Sequence, residues 1–163
     1  MAELITAEIK IILHDELTKL RERIIANMDA AGQTTTGKTA ESMKVEIRGD
    51  VATATGILSG RQAFATLETG SAPWSRQPGR VPRFFADIIG EWSENKGLDL
   101  NKWAVAHSII TKGSSLRRNG GRADIYSPEI QKTLEAIGNR IVDKYTLLVT
   151  DRLILNNKTT IQA

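Results

Sequence analysis

Two long helical repeats, one near each end of the chain, most constrain what this sequence can fold into. From Glu3 to Ala30 apolar residues recur every three or four positions, and the segment contains neither Gly nor Pro. This period places the apolar side chains on one face of a helix about 40 Å long at 1.5 Å per residue. A helix of that length either packs along a whole small domain or projects towards a neighbour.

The second helix is predicted from about residue 128 to residue 150. The sequence Ser127-Pro128-Glu129 favours a helix start, because Ser caps, Pro suits the first turn and an acid suits the positive end of the helix dipole. The apolar repeat that follows comprises Ile130, Leu134, Ile137, Ile141, Tyr145 and Leu148. Residues 156–163 are interpreted as a frayed tail beyond a single domain of residues 1–155.

Between the two helices, alternation of apolar and charged residues predicts a β-hairpin over about residues 43–58. Met43, Val45 and Ile47 alternate with charged residues, and Gly49-Asp50 is a turn signal. A further short strand is predicted at residues 123–126. The expected fold class is therefore α+β: a small antiparallel sheet, made of the hairpin plus one or two further strands, packed by helices, with long helices at both termini.

The stretch from Ala63 to Gly97 is the most irregular and most aromatic part of the chain. It contains all three Phe, two of the three Trp and three of the four Pro. A helix is predicted from Pro82 to Lys96, because Pro suits a first turn and Gly97 a helix end. The preceding long loop is typical of a functional segment or a binding arm, although a solvated basic surface loop has the same composition.

Basic residues concentrate in two Gly-containing loops that lack acids, although the net charge of the chain is only +3. A helix capped by Asp99 and ending at Gly113 is predicted to separate them. The candidate DNA-facing or partner-facing residues are Arg76, Arg80 and Arg83 in the first loop and Lys112, Arg117, Arg118 and Arg122 in the second. The candidate subunit-contact aromatics are Phe64, Trp74, Phe84, Phe85, Trp92 and Trp103.

Several kinds of chemistry are not expected. The chain has no Cys and only two His, His14 and His107, so neither a thiol nucleophile nor a metal site is predicted. Glu68 has no second carboxylate placed to act with it, as a glycosidase requires, and it more simply accepts hydrogen bonds from the following turn. We expect no enzyme activity and no cofactor.

The segment Gly32 to Thr39, GQTTTGKT, matches the phosphate-binding pattern G-x-x-x-x-G-K-[ST]. A phosphate-binding loop follows a buried strand and opens a helix, whereas this segment follows an amphipathic helix. The segment is therefore interpreted as a flexible linker between helix and sheet.

No apolar run approaches the ~18 residues of a membrane helix. The start MAELITAEIK has acids where a secretory signal needs basic residues, so we expect synthesis and retention in the cytosol.

Three segments together resemble a family of small virion proteins of tailed bacteriophages, the minor tail or neck components of the head–tail connection. They are GKTAESMKVEI at residues 37–47, FATLETGSAP with the following basic loop, Trp-bearing helix and KGL at residues 64–98, and WAVAHSIITKGSSLRRNGGRADIYSPEI at residues 103–130. The resemblance covers roughly residues 1–155. More typical members have Gly-Thr or Gly-Arg where this chain has Gly70-Ser71, so no named subtype is assigned.

The resemblance implies a structural, non-enzymatic protein of the virion, assembled in the host cytoplasm. Relatives in the head–tail connection form six-fold or twelve-fold rings around the DNA channel and join the portal or adaptor ring to the tail. The implied partners are further copies of the chain, portal or adaptor proteins and tail proteins, with non-specific contact to DNA and no membrane. The alternative is a nucleic-acid-binding module that uses the two basic loops, with sequence-independent, salt-sensitive binding.

Overall fold

The computed structural model describes the backbone of residues 2–161 and the side chains of residues 5–151, and it confirms an α+β fold with long helices at both ends. The elements in chain order are α1 (Ala2–Ala30), α2 (Lys38–Glu41), β1 (Lys44–Arg48), β2 (Thr55–Ser59), a 3-10 helix (Gln62–Ala65), α3 (Thr66–Thr69), α4 (Arg83–Asn95), α5 (Lys102–Lys112), α6 (Ser115–Arg118) and α7 (Ser127–Ile161).

The two long helices run antiparallel, side by side. Glu8 pairs with Lys144 and Glu16 pairs with Arg140, so residue numbers rise along α1 as they fall along α7. The helix α7 continues past its predicted end near residue 150 and takes in residues 156–161 of the predicted tail, while residues 162 and 163 lie outside the described residues. α1 begins six residues before Glu8, whereas α7 continues 17 residues past Lys144. The last turns of α7 therefore extend beyond the start of α1.

The hairpin is confirmed, and its strands are antiparallel with Glu46 opposite Ile57. The loop between them is longer than the predicted two-residue turn and spans residues 49–54. Asp50 organises it, because its Oδ1 accepts hydrogen bonds from the backbone N–H groups of Ala52 and Thr53 at 2.8 and 2.9 Å. The sheet packs on α1, where Gly56 lies so close to Leu17 that a Cβ would stand 2.5 Å from Leu17 Cδ1.

The further strand predicted at residues 123–126 is wrong, and within residues 2–161 the sheet has two strands. The backbone N–H groups of Ile125 and Tyr126 do not pair with a strand; they donate to the side chain of Glu68, at 2.8 and 2.7 Å. Residues 123–126 thus form the irregular entry to α7.

The main core lies between α1, the hairpin, α3 and the entry to α7, and Leu20, Ile24 and Met28 are its α1 members. The buried members of this cluster are Leu20, Ile24, Met28, Met43, Leu67 and Ile125. A second, smaller core joins α4 to α5 around Ala86, Ile89 and Ala106. The buried positions of these helices recur at the helical period, which is why the sequence predicts that the helices form.

Helix ends differ from the predictions in detail. The cap of α5 is Asn101, whose Oδ1 accepts from the N–H groups of Trp103 and Ala104, so the predicted cap at Asp99 is wrong. The second basic loop is partly helical, because Ser114 caps the short helix α6 within it. Gly113 ends α5 as predicted.

Candidate assembly surfaces

Glu68 joins the centre of the chain to the start of α7. Its Oε1 accepts hydrogen bonds from the backbone N–H groups of Ile125, Tyr126 and Ser127 at 2.8, 2.7 and 3.0 Å, and its Oε2 accepts one from the Ser127 hydroxyl. The first N–H groups of a helix have no partner within it, so a carboxylate placed there caps the helix and complements its dipole. The predicted roles of Ser127 as the cap and of Glu68 in the following turn are therefore both corrected.

The Glu68 side chain is buried, with 4% of its residue surface exposed. Burial raises the pKa of its carboxyl, but the hydrogen bonds from the Ser127 hydroxyl and from the three backbone N–H groups outweigh burial and hold the pKa below its ordinary value. Glu68 is consequently ionised near neutral pH. It acts as a fixed acceptor and has no proton to transfer.

The bases of the two basic loops lie against each other next to Glu68. Ser71 N–H donates to Ser114 Oγ at 3.0 Å, and Ser114 N–H donates back to Ser71 O at 2.9 Å. Trp74 N–H donates to Ile110 O at 3.0 Å. Gly70 has φ +68°, and a Cβ on it would stand 2.5 Å from Ser114 Oγ, so a side chain there would separate the loops. The structure thus brings together two loops that lie 43 residues apart in sequence.

The seven candidate basic residues fall into two groups. Arg83, Arg118 and Arg122 are engaged: Arg83 lies 3.8 Å from Asp87, Arg118 donates to the Gly113 carbonyl, and Arg122 is bidentate on Asp124. The other four are exposed and have no ion pair with any described residue. They are Arg76, Arg80, Lys112 and Arg117. These four retain full charge for a polyanion or an acidic partner.

The six candidate aromatics also divide. Phe64 packs on Tyr126 with ring centroids 5.4 Å apart, and Trp74 packs on Phe85 at the same separation, so these rings serve the fold of the chain itself. The others are exposed and free to contact a partner. They are Phe84, Trp92 and Trp103.

The GQTTTGKT segment lacks the setting of a phosphate-binding loop. It follows the end of α1, with no strand before it, and opens the helix α2 of four residues. Lys38 Nζ lies 3.0 Å from Glu91 Oε1 on α4, so the lysine links two elements of the fold. The segment lines a cavity of about 300 Å³ together with Met28 and Trp92.

The face of α7 that packs on α1 combines half-buried apolar residues (Ile137, Ile141 and Leu148) with charged ones. Arg140 Nη1 donates to Glu16 Oε1 at 2.8 Å, and Arg140 Nη2 to Asp15 Oδ2 at 3.3 Å. Nearer the start of α7, Arg23 Nε lies 2.9 Å from Glu129 Oε2. That N–H is not well aligned with the oxygen, so the contact is mainly electrostatic.

Burial makes the charged residues of this face significant for stability. Both Glu16 and Glu129 are buried, and a buried carboxylate that lost its partner would be strongly destabilising. Burial raises the pKa of Glu16, but Lys19 and Arg140 outweigh it and hold the pKa below its ordinary value.

The face of α7 that points away from α1 is apolar. At 3.6 residues per turn it lies roughly opposite Glu129 and Arg140 on the helix. We call this set the outer stripe; it comprises Leu134, Val142, Tyr145 and Val149, which are 59%, 63%, 41% and 57% exposed. Gly138 lies in the middle of the stripe, and nothing stands within 4 Å of the position its Cβ would take. An exposed, contiguous apolar face of this kind is typical of an interaction surface.

A second apolar surface lies between α4, α5 and α6. It is a groove of about 580 Å³, whose apolar lining residues are Ile88, Ile89, Trp92, Val105, Ile109 and Leu116. Ser108, Ser114, Ser115 and Arg118 complete the lining. We call it the α4–α6 groove. Ile88 is 53% exposed, and Phe84, which is 63% exposed, continues the apolar face of α4 beyond the groove.

Within the described residues, no group of three or more His, Cys, Asp or Glu is arranged to hold a metal ion. None of the described helices has the length and hydropathy to span a bilayer.

Sequence reasoning missed the role of Glu68 and the exposure of the outer stripe. The spacing of Val142 and Val149 from Leu134 and Tyr145 was the available signal for the stripe, and Glu68 had none because its partners are remote in sequence.

The chain was compared with protein-family models, with curated proteins and with solved structures, and none of them matches it.

Proposed function

We propose that this chain is a structural virion protein of a tailed phage, part of the head–tail connector, neck or tail-completion region. In this proposal it forms a six-fold or twelve-fold ring around the DNA channel and joins portal or adaptor proteins to the tail. It is assembled in the host cytoplasm and has no enzymatic activity. The observation that carries the proposal is the pair of exposed apolar surfaces, the outer stripe of α7 and the α4–α6 groove.

Ring assembly is supported by the way apolar surface is distributed. A soluble monomer rarely exposes large contiguous apolar patches, and two of them on different elements are typical of a subunit with neighbours on both sides. The long antiparallel pair α1 and α7 gives each subunit a rigid side on which such contacts can form.

The three segments that resemble the phage family bear on the same proposal. Glu68 in the second segment accepts hydrogen bonds from Ile125 to Ser127 in the third, and Ser71 bonds to Ser114. The second and third segments therefore pack against each other in one region of the fold. These hydrogen bonds support the idea that the two segments serve one structural purpose.

A DNA-facing role for the basic loops is supported by the unpaired cations Arg76, Arg80, Lys112 and Arg117. The same observation favours the second candidate function, a sequence-independent nucleic-acid-binding module. The two functions differ in what the chain does without DNA: a ring subunit assembles with copies or with portal and tail proteins, and a binding module stays monomeric.

The absolute mass of the purified protein, measured by light scattering over a range of concentration and salt, tests the proposal. A hexamer or dodecamer is the expected result. Because some ring subunits assemble only on a partner, the measurement is repeated with the portal or adaptor ring and the tail proteins encoded beside it. A chain that stays monomeric both alone and with these partners, and that is missing from purified phage particles, would contradict the proposal.

A further inference from the structure

The two apolar surfaces lie at opposite ends of the α1–α7 pair. Lys144, which lies between the stripe residues Val142 and Tyr145 in sequence, pairs with Glu8 near the start of α1, whereas Trp92 of the α4–α6 groove shares a cavity with Met28 near the end of α1. The 20 residues between Glu8 and Met28 correspond to about 30 Å of helix. One copy of the chain therefore cannot cover its own groove with its own stripe.

We propose that the outer stripe of one copy docks into the α4–α6 groove of the next copy. The proposal rests on the ring assembly proposed above and names the two surfaces that would form its repeating contact. A contact between two different surfaces is heterologous, so any open chain of copies keeps one free stripe at one end and one free groove at the other, and both are used only when a ring closes.

The arrangement of α7 explains why the stripe needs a partner. A surface helix normally leaves its polar face to solvent. In this chain α7 buries only part of its apolar surface against α1, together with Glu129 and Arg140, and leaves a second apolar row that includes Val142 and Tyr145 in solvent. The stripe is thus not covered by any described part of its own chain, although the helix itself is held firmly by ion pairs.

The groove suits a helix with such a stripe. Its lining is mainly aliphatic and aromatic, and its volume of about 580 Å³ accommodates several apolar side chains. The open position at Gly138 lets another surface approach the α7 backbone closely, since no side chain stands in the way. Helix-in-groove docking uses residues spaced three and four apart, as Val142, Tyr145 and Val149 are.

The charges beside the two surfaces are complementary. Glu135 borders the stripe on α7, since at 100° per residue it lies within about 20° of Val142. It is exposed and has no ion pair with described residues. Lys112 and Arg117, which flank the groove-lining Ser114 in sequence, are likewise exposed and unpaired. An acid beside the stripe and bases beside the groove favour the contact between unlike surfaces over the contact between like ones.

The natural absence of Cys makes a direct test available, because an introduced thiol is the only one in the chain. The variants Val142→Cys in the stripe and Ile88→Cys in the groove are purified, mixed and oxidised. A disulfide forms only where Cβ atoms come within about 4.5 Å, so it reports docking. The expected result is a cross-linked dimer in the mixture and none from either variant alone.

The matched control is Glu94→Cys, which lies on α4 but on the side away from Ile88 and Trp92. Mixed with Val142→Cys, it is expected to give no cross-link. If Val142→Cys alone cross-links to itself, two stripes pack together and the proposal is overturned. If the light-scattering mass shows a ring but no Val142–Ile88 cross-link forms, the docking proposal fails while the ring stands. If the chain is monomeric under all conditions, both fail.

A second measurement uses charge in place of cross-linking. Val142→Lys and Ile88→Lys are both at exposed positions, so each variant should keep the circular dichroism spectrum of the parent chain. Each alone is expected to have the mass of a monomer. Because one copy keeps an intact groove and the other an intact stripe, their equimolar mixture should form a dimer of one each. Full-size rings from either variant alone would overturn the proposal.

Discussion

Glu68 accepts hydrogen bonds from both the backbone N–H and the side-chain hydroxyl of Ser127, 59 residues further along the chain. The same carboxylate accepts from Ile125 and Tyr126, so one side chain sets both the place and the direction in which α7 begins. Because α7 carries the outer stripe, the position of the stripe relative to the centre of the molecule depends on this carboxylate.

Glu68→Gln should lower the free energy of unfolding by about 2 kcal/mol, the range measured for hydrogen bonds to charged groups. An amide has one oxygen in place of two, and its NH₂ group cannot accept from Ser127. Urea denaturation at pH 7 checks the value. The control Glu46→Gln alters a hairpin carboxylate paired with Arg48 at the surface and should change the free energy by less than 0.5 kcal/mol or so. Equal effects would mean that the cap contributes little.

The lowered pKa values of Glu68 and Glu16 predict loss of stability in acid. A carboxyl whose folded pKa lies below its unfolded value contributes fully above the unfolded value, near 4.5, and loses that contribution as pH falls through the folded one. Urea midpoints measured from pH 7 to pH 3 should therefore be flat down to about 5 and then fall. In Glu68→Gln the fall should be shallower; an unchanged slope would exclude Glu68 as a source.

Arg140→Met should destabilise the chain by about 1.5 kcal/mol, the low end for a hydrogen bond to a charged group, because the buried Glu16 loses its cross-helix partner and keeps only Lys19. Adding Glu16→Gln should restore much of the loss, since the neutral amide needs no second cation. Thermal or urea unfolding of the single and double variants checks both statements. The control is Arg48→Met, at an exposed ion pair. A double variant that is no more stable than Arg140→Met would contradict the charge explanation.

Gly70→Ala and Gly97→Ala form a matched pair. Both residues have positive φ, +68° and +65°, so a side chain strains the backbone at both positions. The strain is greater at Gly70, whose ψ of 172° places it in a region essentially restricted to Gly. Only at position 70 would the new Cβ also meet neighbouring atoms, Ser114 Oγ at 2.5 Å and Arg117 N at 2.6 Å. Gly70→Ala should thus lower the unfolding midpoint clearly more than Gly97→Ala. Equal midpoints would show that the two loops separate without cost.

Replacement of Arg76, Arg80 and Arg117 by Ala should weaken binding to mixed-sequence DNA and flatten its salt dependence. Each lost phosphate contact reduces the slope of log K against log salt by about 0.9. Fluorescence anisotropy at several salt concentrations measures both. Arg122→Ala is the control, because Arg122 is already bidentate on Asp124. If the triple variant keeps the affinity and slope of the parent chain, the loops face protein.

The parts of the fold that follow from local periods were predictable. Helix α4 after Pro82, the end of α5 at Gly113 and the alternating strand at Val45 all depend on residues a few positions apart, and all are confirmed. The entry to α7 depends on Glu68, which lies far away in sequence. A short segment that ends in Ile125 and Tyr126, one β-branched and one aromatic residue, is compatible with a strand from its local sequence alone.

The orientation of α7 was not predictable from its own sequence. Half of the predicted apolar repeat packs inward, since Ile137, Ile141 and Leu148 are half-buried, whereas Ile130, Leu134 and Tyr145 are exposed. What rotates α7 to this side is the sequence of α1, where Glu16 and Asp15 face the same helix and attract Arg140. The side of α7 that packs inward thus depends on charges of both helices, so it cannot be predicted from the sequence of either helix alone.

The two sides of α7, one attached to α1 partly by ion pairs and the other apolar and exposed, respond in opposite directions to ionic strength. Added salt screens the partly exposed pairs such as Glu8–Lys144, so it loosens the attachment of α7 to α1. Sulfate or phosphate meanwhile strengthens burial of Val142 and its neighbours against any apolar partner. High concentrations of these salts should therefore weaken the packing of α7 on α1 within one copy and strengthen the contact of the outer stripe with another copy.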